Sequence, residues 1–314
     1  MAILRVGTRG SRLAVIQTEL VCRELRRLGF KVQLVPIKTE GDRDKASPFR
    51  KLGPDVFTRA LDQALLAGRI DCAVHSAKDV PTCLPKGIEI CAFPERSAPE
   101  DVLVFFGLKL KDSVGSFRSP LDALPKGARV GTSSLRRSAL LKFLRKDLVI
   151  EELRGNLETR LRRAEERKLT ACVLARAGLC RAGLEDRVGQ ILDPELFVPQ
   201  AGQGALAVTA LSGSSLASEL MEALDHEPTR SAVLSERAYL RRLGGGCRIP
   251  AGAFGSTEGE ELKLTAVLLA PDGSKCIRER AKGKAGEGEK LGIKLAERIL
   301  AQGGEEIVKE LRKS

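Results

Sequence analysis

Gly244-Gly245-Gly246-Cys247-Arg248 is the segment of this chain best suited to covalent chemistry. Three successive glycines reach backbone conformations that other residues avoid and let a bulky group come close. Arg241, Arg242 and Arg248 flank Cys247, and neighbouring guanidinium groups lower a thiol's pKa and expose the nucleophilic thiolate. The plain alternative is a flexible turn around a buried cysteine, the usual state of a free thiol. A second candidate is Ser76-Ala77-Lys78-Asp79, which follows the apolar run ending in Val74-His75 and stops at Pro81. Ser76, Lys78 and Asp79 are thereby expected on a loop at a strand's C-terminal end, the edge where open α/β sheets gather ligands. Elsewhere a Lys beside an Asp is a solvent-facing pair of small consequence.

Arginines recur at matching places. Arg9 and Arg12 follow one Arg-Val-Gly-Thr segment, Arg5 to Thr8, and Arg136 and Arg137 follow another, Arg129 to Thr132. Both segments lead through hydroxyl-rich turns into helix starts, where unpaired N–H groups and the helix dipole favour carboxylate or phosphate. Arg154 and Arg160, in Leu153-Arg154-Gly155-Asn156-Leu157-Glu158-Thr159-Arg160, add two more. Solvated surface arginines would explain each turn alone. Together Arg9, Arg136, Arg137, Arg154 and Arg160 suit a ligand with several separated carboxylates, since Arg binds carboxylate bidentately.

The elements that must position these groups follow from periodicity. Residues 3 to 37 read as a βαβ unit: a strand at Ile3 to Val6, a turn at Gly7 to Gly10, and a helix capped by Ser11. The helix carries Leu13, Ile16, Leu20, Leu25 and Leu28 at helical spacing until Gly29, and a strand returns at Lys31 to Val35. The plan repeats from Arg129, with Ser133-Ser134 before a helix through Leu135, Leu140, Leu141 and Leu144 and a strand at Leu148 to Ile150. Phe93 to Glu100 and Phe197 to Gly204 read as two crossings between lobes, and two crossings imply a hinge. Beyond about residue 222 come a helix from Thr229 to Leu243, a hairpin around Pro271-Asp272-Gly273 and C-terminal helices, an α+β pattern.

Composition narrows the partners. Lys and Arg exceed Asp and Glu by 53 to 41, a formal charge of +12 that suits an anionic ligand. With one Tyr, no Trp and ten Phe there is little material for stacking nucleic-acid bases, so no nucleic-acid partner is expected. The eight cysteines are scattered without a CxxC pair and only two histidines accompany them, so neither disulfides nor a metal is expected. No run approaches the twenty or so apolar residues of a membrane helix and no signal-peptide core follows the N-terminus, which points away from membranes and to the cytoplasm.

Six ordered motifs carry a resemblance to the porphobilinogen deaminase family over nearly the whole chain: Gly7 to Ala14, His75 to Thr82, Val130 to Arg137, Leu153 to Leu161, Pro199 to Leu206 and Gly244 to Pro250. The resemblance implies two lobes like type II periplasmic binding proteins with a hinge, plus a smaller α+β domain. The matching boundaries are 1–96 with 200–220, then 97–199, then 221–314. It implies a dipyrromethane cofactor in thioether linkage to Cys247, with porphobilinogen as substrate and hydroxymethylbilane as product after four condensations. Asp79 would be the catalytic group. Ser11, Lys78, Thr132, Ser133, Ser134, Arg136, Arg137, Arg154 and Gly155 would hold the cofactor, and Arg9, Phe57, Ser76, Arg160, Arg181 and Gln203 the substrate. The resemblance further implies a monomer in transient contact with the next enzyme of its pathway.

This chain departs from the family pattern at Lys51 to Phe57, one residue short where a glycine-lysine-glycine stretch is usual, with Lys51 serving in part. It departs also at Arg96 to Asp101, where different hinge ion pairs are expected, and at Cys180, which replaces a basic residue. Lys109 to Ser119 reads as a surface loop. The rival class is a binding or sensor protein that keeps the anion cleft without catalysis.

Overall fold

Strand β1 (Leu4–Arg9) runs through the predicted turn, because Gly7, Thr8 and Arg9 pair with Val35, Pro36 and Ile37 of the returning strand. Gly7 is there for packing, since a Cβ would collide with Ile70 Cδ1. The computed structural model describes residues 3–38, 55–107, 120–245 and 249–313. Lys51, Lys109 to Ser119, Cys247 and Arg248 lie outside the described residues.

Ser11 caps α1 (Arg12–Arg27), its hydroxyl accepting from Ala14 N at 3.4 Å. β2 (Val32–Ile37), α2 (Arg59–Leu66), β3 (Cys72–Ser76) and β4 (Ile88–Ala92) follow. The segment from Phe93 then crosses to β5 (Asp101–Phe105), β6 (Arg129–Gly131), α3 (Leu135–Leu144), β7 (Val149–Glu151), α4 (Leu157–Glu166), β8 (Ala171–Ala175), α5 (Arg176–Arg181) and β9 (Gln190–Ile191). A second crossing returns to β10 (Leu206–Leu211) and α6 (Ser215–Leu224). The first sheet has the order β2-β1-β3-β10-β4 and the second β7-β6-β8-β5-β9. In each, four strands run one way and the fifth, entering from a crossing, is antiparallel to both its neighbours, β10 between β3 and β4 and β5 between β8 and β9. The two lobes are thus the same fold twice.

The predicted α1 stripe is corrected by the packing. Its buried residues are Gln17, Thr18, Val21, Cys22 and Leu25, while Leu20 and Leu28 are exposed. Residues of α1 and β1, with Val74 and Val208, fill the first core; Leu140, Leu141, Val130 and Val173 fill the second. The remaining layer packs α7 (Glu227–Arg242) on β11 (Ala251–Glu258), β12 (Glu261–Leu269) and β13 (Cys276–Lys284), with α8 (Gly288–Ile299) and α9 (Glu305–Lys313) behind. Tyr239, fully buried, donates its hydroxyl proton to Val267 O at 2.9 Å.

Glu236 of α7 ties these parts together. It is 0% exposed and accepts from Arg96 Nη1 at 2.6 Å, Gly202 N at 2.6 Å and Gly255 N at 2.8 Å, groups on the first crossing, the second crossing and the third sheet. Arg96 Nε also donates to Gln203 O at 2.9 Å. The crossings touch closely enough that Gly204, at φ +88°, admits no side chain: a Cβ would sit 2.6 Å from Ser97 O.

Glu236→Gln should cost about 3–5 kcal/mol of unfolding free energy in a urea titration, because it leaves the buried Arg96 charge unpaired. Glu24→Gln, which opens the exposed pair with Arg27 on α1, should leave the midpoint in place.

Candidate active site

Strand edges bring the candidates together. β3 ends at Ser76, and Ala77–Asp79 form one turn of 3-10 helix instead of the open loop expected, pinned by Ala77 N donating to Ala205 O at 3.0 Å. In the second lobe Thr132 N donates to Glu151 O at 2.8 Å and Thr132 Oγ1 accepts from Ser134 N at 3.2 Å. Ser134 Oγ in turn caps α3 by accepting from Arg137 N at 3.4 Å, while Ser133 is exposed. The hydroxyls of Ser11 and Ser134 therefore organise the two helix starts that the repeat predicts.

Asp101 sets the direction of the paired arginines. Arg137 donates to its Oδ1 through Nη2 at 2.6 Å and Nε at 3.1 Å, and to Val173 O at 3.0 Å. Arg136 pairs with Oδ2 at 2.8 Å and donates to Val198 O at 2.9 Å on the second crossing. Burial works against the Asp101 carboxylate, but Arg136 and Arg137 outweigh it and hold its pKa at about 2. Gln203, 0% exposed, donates to Asp101 Oδ1 at 2.9 Å and Pro99 O at 2.8 Å, and accepts from Lys78 Nζ and Arg137 Nη2, both at 3.4 Å.

Around Lys78 and Asp79 cations accumulate. Burial pushes the Lys78 ammonium down to about 8; Asp79 and Asp101 oppose the shift, while Arg137 and Arg160 reinforce it. Burial, with repulsion from Arg137, brings Arg160 down to about 10, and its Nε donates to Gly155 O at 2.7 Å. Asp79 also borders a small recess with Arg9, Gln17, Phe57, His75 and Ser76. There the Arg9 guanidinium stands 4.1 Å over the Phe57 ring, a cation–π contact.

Lys78, Asp79, Arg137, Arg160 and Gln203 thus converge, and Arg9, Phe57 and Ser76 meet them across Asp79. Arg154 pairs with Glu152, beside Gly155, whose φ of +118° suits glycine alone. Arg181 turns to the hinge, donating to Gly204 O at 2.6 Å, and burial brings it down to about 10. Cys247 lies outside the described residues, but Gly245 sits against Thr82, where a Cβ would meet Oγ1 at 2.8 Å. The loop leading to Cys247 therefore starts beside the segment that follows Asp79. Of the other cysteines, Cys22, Cys72, Cys91 and Cys172 are buried, and burial drives Cys22 up to about 11 and Cys91 and Cys172 to about 12. Among the described residues no group of three His, Cys, Asp or Glu is placed to hold a metal.

An anionic cofactor fits this cleft. Lys78 and Arg160, both half-buried, interact with Asp79, and Arg136 Nε is buried with no hydrogen-bond partner among the described residues. Asp101, Glu236, Gln17 and His75 were not singled out from the sequence. A polar residue on the packed face of α1 is the one signal that marks Gln17.

Residues 4–219 match the family model for the porphobilinogen deaminase dipyromethane cofactor binding domain, and residues 231–301 match that for the C-terminal domain. A porphobilinogen deaminase of Pelotomaculum thermopropionicum is 44% identical over 312 residues, spanning 98% of this chain and 97% of its own. That of Thermus thermophilus is 43% identical over 317 residues, 99% and 100% of the two chains. Among solved structures, an ancestral cationic amino acid solute binding protein aligns at 17% identity with a TM-score of 0.44, covering 70% of this chain and 87% of its own. A nutrient binding protein from Burkholderia cenocepacia bound to methionine aligns at 14% identity with a TM-score of 0.40, covering 70% and 90%.

Lys78 binds its proton more weakly folded than unfolded, so the unfolded chain holds the extra proton between pH 8 and 10.5 and stability gains with pH there. Lys78→Met should unfold at higher urea than the parent at pH 7. That advantage should fade as pH rises from 8 to 10.5, measured as the difference between the two proteins.

Proposed function

The chain belongs to the porphobilinogen deaminase family, and from that premise we propose that Asp79 carries its chemistry and Cys247 its cofactor. The activity is that of a transferase in tetrapyrrole and haem biosynthesis: porphobilinogen is condensed with loss of ammonia on a dipyrromethane cofactor, giving hydroxymethylbilane. The residue assignment rests on one observation, that Asp79 borders both the Arg9–Phe57 pocket and the Lys78–Arg137–Arg160 cluster.

The Asp79 carboxylate accepts a hydrogen bond from the substrate's pyrrole N–H and assists ammonia to leave. A fixed carboxylate beside the positive charge that develops on the substrate stabilises it without reorganising solvent. Held through Cys247, the dipyrromethane would supply the free pyrrole α-position to which the first unit is joined, each added unit then offering the position for the next. Arg9 and Arg160 hold substrate carboxylates, with Phe57, Ser76, Arg181 and Gln203 in support. Lys78, Arg137, Arg154 and Gly155, with Ser11, Thr132, Ser133 and Ser134, hold those of the cofactor, and Arg136 acts beside them through Asp101. Lys78 forms no Schiff base, because the substrate has no carbonyl to condense with.

We place the chain in the cytoplasm as a monomer of three domains, 1–96 with 200–220, 97–199 and 221–314, in transient contact with the next enzyme of the pathway. Among the described residues no helix is long and apolar enough to cross a membrane.

Denaturing intact mass tests the assignment. Protein made in a cell that supplies the precursor should carry two pyrrole units and gain single units with porphobilinogen, whereas Cys247→Ser should stay unmodified. Asp79→Asn should keep the two units and lose at least about 100-fold in ammonia release, the scale of a lost acid/base group. Normal turnover in either variant, or a parent that stays unmodified after porphobilinogen and preformed product, would sink it.

A further inference from the structure

The pocket beside Asp79 holds two polar side chains that this chemistry leaves unused. His75 and Gln17 are each 6% exposed and both line the pocket. Gln17 accepts from Ser76 Oγ at 3.0 Å through Oε1, which leaves its NH₂ available to donate. His75 Nε2 meets Thr209 Oγ1 of β10 at 3.1 Å. Neither Gln17 Nε2 nor His75 Nδ1 has a partner among the described residues.

Thr209 decides which nitrogen of His75 carries the proton. Thr209 is 1% exposed, and His75 is its hydroxyl's one side-chain partner among the described residues. A buried O–H without an acceptor costs about 1–3 kcal/mol. With Thr209 donating to Nε2 the imidazole proton resides on Nδ1, an N–H that then calls for an acceptor from a bound ligand. Burial, with repulsion from Arg9, brings the imidazolium down to about 4, so the ring is neutral at pH 7.

We propose that His75 Nδ1–H and Gln17 Nε2–H are a pair of neutral donors that, beside Arg9, recognise a carboxylate arm of the incoming porphobilinogen. The inference rests on the family activity and on Asp79 as its centre. Asp79 is the acceptor in the pocket and takes the pyrrole N–H. The donors need acceptors, and on this substrate those are the acetate and propionate. Neutrality has a purpose: a further cation here would repel the positive charge that Asp79 must stabilise, whereas N–H donors bind carboxylate without that opposition.

The chain has two histidines, so ¹⁵N-histidine labelling gives two imidazole signals, separated with His226→Gln. The expected result is His75 protonated on Nδ1 at pH 7, shifted by a pyrrole that bears acetate and propionate but no aminomethyl group, and moved toward Nε2–H by Thr209→Val. In steady-state kinetics His75→Phe should raise KM for porphobilinogen roughly 10- to 100-fold, the worth of a hydrogen bond to a charged group, with kcat within about threefold. His75→Asn, which keeps a donor near the Nδ1 position, should recover most of it. A parent His75 protonated on Nε2, or KM unmoved in His75→Phe, would overturn the proposal. A parent that releases no ammonia from porphobilinogen would overturn the family activity instead, with the tautomer still readable.

Discussion

A carboxylate with no access to water holds this molecule in register. Glu236 would be a liability if it met one arginine alone, because desolvating two charges costs more than their attraction returns unless other hydrogen bonds complete the geometry. Here Arg96 is joined by the Gly202 and Gly255 amides. Those donors come from the two crossings and the third sheet, so one side chain joins three segments. The cleft lies between two lobes joined by these crossings, and its width follows from how Glu236 seats them.

Asp101 does the complementary task on the cleft side. It stands where the first crossing becomes β5 and draws Arg136 and Arg137 inward. Gln203 of the second crossing completes it and touches Lys78. The hinge and the anion site are therefore one hydrogen-bonded network, and a displacement at either crossing is felt at the Lys78 ammonium. Burial and mutual repulsion leave Lys78 and Arg160 holding their protons less tightly than in water. A polycarboxylate entering the cleft relieves that strain in proportion to the charge it brings.

Much of this was legible in the sequence. The Ser11 and Ser134 caps, the duplicated βαβ units and both crossings are local patterns, and local patterns survive folding. The strand end was misread because Gly7 resembles a turn residue, while its role is contact with Ile70 across the sheet. The buried face of α1 was misread because Leu20 and Leu28 are apolar yet exposed, and Gln17 and Thr18 are polar yet packed against the pocket and Thr8. The direction of Arg136 was hidden as well: spacing put it beside Arg137 at a helix start, but its carbonyl partner, Val198, lies 62 positions away. Nothing short of tertiary structure sets His75 opposite Thr209.

The interleaving of the sheets bears on how the protein is made. The second sheet, β5 to β9, is one uninterrupted stretch ending at Ile191, whereas the first lacks β10, the strand between β3 and β4, until Leu211 has been added. A chain emerging from the ribosome thus has its later lobe ready to close before its earlier one. Until then β3, with Asp79 just beyond it, waits as an open edge. The Ala77–Asp79 turn is made before the second lobe and set in place after it.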